Sequence, residues 1–132
     1  MVNKIDKTEQ QWQQQLTDEQ YRITRLAGTE PPFSGIYAEH NDSGNYHCIC
    51  CDQVLFSSTD KFDSGCGWPS FSNQIEQGMV SHHIDQSLGM DRTEVRCKHC
   101  DAHLGHIFDD GPAPTGLRYC INSVALNFSD KK

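Results

Sequence analysis

Apolar positions in this chain fall in short runs divided by polar residues, glycine or proline. The first 28 residues are polar and helix-friendly, and Trp12 and Leu16, four residues apart, share one face of a first helix. Thr17 with Gln20 forms a capping box for a second helix, which carries Tyr21, Ile23 and Leu26 until Gly28 stops it. From there the pattern changes. Glycines and prolines recur from Gly28, Pro31, Pro32 and Gly35 through Gly65, Gly67, Gly89, Gly105, Gly111, Pro114 and Gly116, leaving intervals too short for ordinary helices. Those intervals fit short strands at 46–48, 54–56, 79–84, 93–97, 119–121 and 124–128. The expected architecture is mainly β: a helical N-terminal segment, residues 1–28, packed on a single antiparallel β domain over 29–132.

With 132 residues the chain has room for one domain. A hydrophobic fraction of 36% and a mean hydropathy of -0.66 make the core small for that length. No run approaches the ~18 to 20 apolar residues of a membrane span, and the start, MVNKIDKTEQQWQQQ, lacks the apolar stretch of a secretory signal. The expectation is a soluble, cytoplasmic chain with no membrane partner. Eleven Lys and Arg against eighteen Asp and Glu give a net charge of -7, the wrong sign for gripping phosphates, which argues against nucleic acid as a partner. Seven cysteines are odd in number and too many for an ordinary reduced protein, and point to metal or redox chemistry.

Two C-x-x-C pairs stand out, Cys48 with Cys51 and Cys97 with Cys100. Each such turn aims two sulfurs at one point, and two turns complete the tetrahedral four-thiolate shell that zinc prefers at about 2.3 Å. A structural zinc would compensate for the thin core. Cys50 could stand in for Cys48 or Cys51, and His47 or His99 could serve as a ligand, but only the four named cysteines keep both two-residue gaps. A thioredoxin-type redox pair would need a βαβ pattern, which the chain lacks. Cys50 is then a buried or bystander thiol.

Cys66 and Cys120 remain. In RYCIN, strand alternation places Arg118, Cys120 and Asn122 on one face and Tyr119 and Ile121 on the other, so a guanidinium lies beside a thiol and favours its thiolate. A surface arginine and a core cysteine would give the same string. Cys66 lies between Gly65 and Gly67 on a loop able to swing, beginning at Ser64, with Trp68 close enough to wall an apolar pocket. A tight turn with a core tryptophan is the plainer reading. His103 and His106, with Asp109 and Asp110 nearby, add groups able to move protons at neutral pH. His40, His82 and His83 are assigned to structural or solvated positions.

The strings YHCICC, FDSGCGWPSF, VRCKHCDAHLGHIFDDGP and PTGLRYCINS, in this order across residues 30–128, closely resemble the methionine sulfoxide reductase B family, whose members reduce the R epimer of methionine sulfoxide. The resemblance implies two antiparallel β-sheets with peripheral helices, and one structural zinc held by Cys48, Cys51, Cys97 and Cys100. It matches Cys120 to the nucleophile and Cys66 to the resolving cysteine of the two-cysteine members. His103, His106, Asp110, Arg118, Asn122 and Trp68 fall on active-site positions. The implied chemistry is attack by the Cys120 thiolate on the sulfoxide sulfur while His103, assisted by His106, protonates the oxygen. Asn122 and Asp110 would orient the histidines or a bound water, and Trp68 would receive the S-methyl group. The resulting Cys120 sulfenic acid condenses with Cys66 to a disulfide that thioredoxin reduces, in a cycle that repairs oxidised proteins. Size alone suggests a monomer, and Cys50 has no counterpart. The competing readings are a zinc-ribbon binding module with Cys66 and Cys120 incidental, and an inactive relative acting as a thiol sensor.

Overall fold

The computed structural model describes residues 8–38, 40, 42–62, 65–76, 78–85, 92–113 and 115–130. The first seven residues, Asp63 and Ser64 of the cysteine loop, Gly89 and Pro114 lie outside the described residues. Two helices open the chain, α1 over Glu9–Gln15 and α2 over Asp18–Thr24. Each starts at a full capping box. In α2 the Thr17 hydroxyl accepts from the Gln20 N–H at 3.1 Å and the Gln20 amide oxygen accepts from the Thr17 N–H at 3.0 Å; Thr8 and Gln11 repeat the arrangement in α1. Trp12, Leu16, Tyr21 and Ile23 are buried in the common core. Leu26 departs from expectation: α2 ends at Thr24 and Leu26 is exposed. The chain turns out of the helix after Arg25, whose guanidinium reaches the Cys100 carbonyl, and Ala27 rather than Gly28 takes the left-handed conformation, φ 57°.

Among the described residues there are nine strands: β1 Asn45–Cys48, β2 Val54–Ser57, β3 Lys61–Phe62, β4 Ser70–Phe71, β5 Val80–Asp85, β6 Arg92–Cys97, β7 His103–Phe108, β8 Arg118–Ile121 and β9 Leu126–Ser129. They form a three-stranded sheet, β2-β1-β9, and a six-stranded sheet, β3-β4-β8-β7-β6-β5, in which every described pairing is antiparallel. The expected segments at 46–48, 54–56, 79–84, 93–97 and 119–121 correspond to β1, β2, β5, β6 and β8 within a residue or two. At 124–128 only the second half is strand, because Ser123–Ala125 winds into a 3-10 turn. Strands β3, β4 and β7 had no counterpart in the sequence pattern.

Period-two alternation decides what each sheet buries. Tyr46 and Cys48 of β1 are buried where Asn45 and His47 are half-buried, and Tyr119 and Ile121 of β8 are buried where Arg118 and Cys120 are half-buried. The sheets meet through aromatic rings: Phe56 stacks on Phe71 with centroids 4.5 Å apart, and Tyr46 meets Phe71 edge-on at 5.1 Å. Between β6 and β7 the register jumps, Val95 facing Gly105 but Arg96 facing His103, so Leu104 is an extra residue bulged into β7. The bulge brings His103 and His106 onto one face, with ring centroids 5.5 Å apart. No helix among the described residues is long and apolar enough to cross a membrane.

Candidate functional site

Strands β1 and β6 belong to different sheets, and each ends on the first cysteine of a C-x-x-C turn. The two turns are built alike. The Asp52 N–H closes on the Cys48 carbonyl and the Asp101 N–H on the Cys97 carbonyl, each at 2.8 Å, with Asp52 at φ 65° and Asp101 at φ 64°. Aspartate enters that left-handed region more readily than most side chains. The Sγ atoms of Cys48, Cys51, Cys97 and Cys100 lie within 4.8 Å of one another, with Cys48 to Cys100 and Cys51 to Cys97 both at 3.6 Å. A tetrahedron of sulfurs at ~2.3 Å from a central ion has edges of about 3.8 Å, so the four thiols fit one metal ion. His47, His99 and Cys50 are not part of that group: His47 Nδ1 meets the Asp52 carbonyl at 3.0 Å, and the buried Cys50 thiol lies against those of Cys48 and Cys100 without joining the four. The helices reach both turns, Gln15 donating to the Cys50 carbonyl and Arg25 to the Cys100 carbonyl, each at 2.7 Å.

Cys66 and Cys120 meet on the face of the large sheet turned away from the aromatic core. Register places Ser70, Cys120, His106, Glu94 and His83 in one row across β4, β8, β7, β6 and β5. Cys66 Sγ comes over this row to 3.5 Å from Cys120 Sγ. The loop that carries it needs its glycines. Gly65 and Gly67 have φ 74° and 96°, and a Cβ on Gly67 would lie 2.6 Å from Cβ of Pro32. Trp68, His106, Phe108, Cys120 and Asn122 line a cavity of about 90 Å³.

The partners of these side chains differ in part from expectation. The histidines are held by carboxylates that the sequence reading missed: Glu94 Oε2 at 2.6 Å from His103 Nδ1, and Asp85 Oδ2 at 2.7 Å from His106 Nε2. Only the pairing of β5, β6 and β7 brings them there, and no local string announces it. Asp110 does not reach the histidines; it takes Arg118 bidentately, Oδ1 at 2.8 Å from Nε and Oδ2 at 3.2 Å from Nη2, while the guanidinium lies 4.4 Å over the Phe108 ring. Asn122 likewise turns elsewhere, donating to the Leu104 carbonyl at 3.1 Å and accepting from the Glu30 N–H at 3.0 Å. The Trp68 indole donates to the Glu30 carbonyl at 3.0 Å, so the backbone of one buried residue, through its N–H and its carbonyl, holds two of the expected site residues. His106 lines the cavity, whereas His103, 4% exposed, lies behind it.

Burial also reverses the expected activation of the thiol. It pushes Cys120 up to about 12, the adjacent Cys66 adds to the rise, and Arg118 pulls down without offsetting them. The free reduced site therefore keeps Cys120 protonated at neutral pH. Burial draws His103 below the ordinary histidine value against the opposing pull of Glu94. For Glu94 itself burial pushes up, but the bonds from Arg96 and His103 together outweigh it and the net shift is down.

Comparison with known proteins places this geometry. A SelR domain matches residues 16–130. The chain is 58% identical over 130 residues to the peptide methionine sulfoxide reductase MsrB of Pseudomonas putida (strain W619), covering 98% of each chain. It is 60% identical over 126 residues to that of Pseudomonas syringae pv. syringae (strain B728a), covering 96% of each. With the Hahella chejuensis (strain KCTC 2396) protein of the same name it shares 55% over 127 residues, 96% of this chain and 91% of that one. Two thiols 3.5 Å apart over one sheet face, a four-cysteine clamp, and this likeness over nearly the whole length lead to one assignment: the chain belongs to the peptide methionine sulfoxide reductase MsrB family.

Proposed function

We propose that this chain reduces the R epimer of methionine sulfoxide in oxidised proteins through a sulfenic acid on Cys120 and a disulfide with Cys66. The observation that carries the reading is the 3.5 Å approach of the two sulfurs at a cavity walled by Trp68 and His106. A volume near 90 Å³ suits the tip of the side chain, a methyl and a sulfinyl group, with the Trp68 ring as the apolar wall.

Cys120 attacks the sulfoxide sulfur as a thiolate. Two protons delivered to the oxygen let it leave as water, and the Cys120 sulfur is left bonded to a positively charged methionine sulfur. Water then takes the Cys120 sulfur, methionine departs with the electron pair, and a proton is released. The geometry favours His106 over His103 as the donor, because His106 faces the cavity and His103 stands behind it against Glu94. Since Cys120 is held protonated in the free site, its proton is itself available when the polarised sulfoxide arrives. Arg118, anchored by Asp110, stabilises the developing thiolate. Cys66 then closes the disulfide, and a protein dithiol of the thioredoxin class restores both thiols by exchange.

The clamp fits zinc, since four thiolates in a tetrahedron are its preferred closed shell. A closed shell offers no position to substrate, so bound zinc would supply folding energy and no chemical step. The test is turnover of separated R and S sulfoxides. Cys120→Ser is expected to abolish R-sulfoxide reduction, and Cys66→Ser to release one equivalent of methionine and then stall with a thioredoxin-type reductant. Equal turnover of both epimers, or normal cycling by either variant, would overturn the reading.

A further inference from the structure

We propose that the Ser70 hydroxyl is a catalytic hydrogen-bond donor to the Cys66 thiolate in the disulfide-forming step. The inference rests on the role of Cys66 proposed above and goes beyond it, since it assigns a task to a serine of the neighbouring strand. Ser70 is fully buried on β4, and its register partner on β8 is Cys120. Its Oγ lies 3.4 Å from Cys66 Sγ and 3.3 Å from the Trp68 carbonyl oxygen. Cys66 Sγ lies 3.6 Å from that same carbonyl.

The three groups form a switch with one moving hydrogen. While Cys66 is a thiol, its S–H and the Ser70 O–H can both donate to the Trp68 carbonyl. Once Cys66 loses its proton the sulfur can only accept, and the Ser70 hydroxyl turns about one bond from the carbonyl to the sulfur. The hydroxyl hydrogen rotates freely, so no heavy atom needs to move. A hydrogen bond to a charged acceptor in a buried site is worth more than one to a neutral acceptor.

The step balances without an outside oxidant. The Cys66 thiolate attacks the sulfur of the Cys120 sulfenic acid, the S–S bond forms and the S–O bond breaks. The departing hydroxide takes up the proton that Cys66 lost and leaves as water. The Cys66 sulfur is oxidised by one electron equivalent and the Cys120 sulfur is reduced by one. The oxidising equivalents come from the sulfoxide reduction that precedes it, which leaves Cys120 as the sulfenic acid with an oxygen taken from water.

Single-turnover rapid quench without added reductant measures both steps in one sample, methionine release and then the Cys66–Cys120 disulfide. In Ser70→Ala the ratio of the disulfide rate to the methionine-release rate is expected to fall about tenfold, with the sulfenic acid accumulating as a dimedone adduct on Cys120. The isosteric variants Ser70→Thr and Ser70→Val differ only in the hydroxyl, and threonine is expected to restore the ratio where valine does not. They make the same comparison if the alanine chain does not fold. An unchanged ratio, an equal slowing of both steps, or identical behaviour of the threonine and valine chains would overturn the proposal. Absence of any Cys66–Cys120 disulfide in the unaltered chain would instead overturn the reading on which it rests.

Discussion

Glu94 carries two partners on one nearly buried carboxylate, Arg96 Nη2 at 2.9 Å and His103 Nδ1 at 2.6 Å. Glu94→Gln removes the charge that the Arg96 guanidinium and the His103 ring bond to, and is expected to cost about 1.5 to 3 kcal/mol at pH 7, the worth of a hydrogen bond to a charged group. The pH dependence has a definite sign. His103 titrates below its ordinary 6.5 when folded, so below that pH the unfolded chain binds a proton that the folded chain refuses, and stability falls. Glu94 titrates below its ordinary 4.5, so its contribution is complete above that pH and is lost as pH falls through the lowered value. Melting curves from pH 7.5 to 3.5 should show two successive declines, of which Glu94→Gln shrinks the lower. A variant with both declines intact would remove Glu94 from this account. At this scale the cysteines were legible in the sequence because their spacing and flanking glycines are local. Asp85 and Glu94 were not, because nothing near them in the chain names their partners. The thiol of Cys120 was misread for a related reason: Arg118 is its neighbour in sequence, but burial, which outweighs that cation, is set by the whole sheet.

Strand β7 shows why an element can hide. Strands β1 and β8 advertise themselves by strict alternation, whereas in β7 the bulge at Leu104 breaks the period and Gly105 has no side chain to mark it. Read locally, HLGHIF is a pair of proton carriers; only the neighbouring strands make it the middle of a sheet. Strands β3 and β4, two residues each, are too short to carry any period, and the turn at Ser123–Ala125 postponed β9. The glycine has a positive task. A Cβ at Gly105 would stand 2.0 Å from the carbonyl oxygen of Cys120, so the close approach of β7 to the Cys120 peptide excludes any side chain. Gly105→Ala must push β8 from β7 and carry Cys120 away from His106. An overpacked position costs roughly 1 to 3 kcal/mol, and the expected result is a loss of at least tenfold in kcat/KM for the sulfoxide with metal content unchanged. Wild-type kinetics in that variant would mean that the sheet can open there without disturbing the site.

Taken as a whole, the molecule joins its two sheets twice, by the aromatic contacts of Tyr46, Phe56 and Phe71 and by the cysteine clamp at the ends of β1 and β6. Structural zinc contributes an apparent ~10 to 16 kcal/mol in small peptides, comparable with the ~5 to 15 kcal/mol of net stability in an ordinary domain, so chelation is expected to abolish cooperative melting. The helical start takes part in this. Arg25 lies 4.3 Å over the Trp12 ring and donates to the carbonyl of Cys100, one of the four clustered cysteines, while Gln15 holds the carbonyl of Cys50, which is not one of the four. Opening the second C-x-x-C turn to release a metal therefore requires breaking a charge-assisted bond from α2's end, worth about 1.5 to 3 kcal/mol. Arg25→Met keeps an apolar stem against Trp12 and removes that donor. Transfer of the metal to a chromophoric chelator should then quicken by about tenfold or more, and Gln15→Leu, which frees only the Cys50 carbonyl, should change the rate less. If Arg25→Met releases metal at the unaltered rate, the helices cover the core without guarding the clamp; if it quickens as expected, the polar N-terminal segment is a brace on the metal site as well as a lid on the small core.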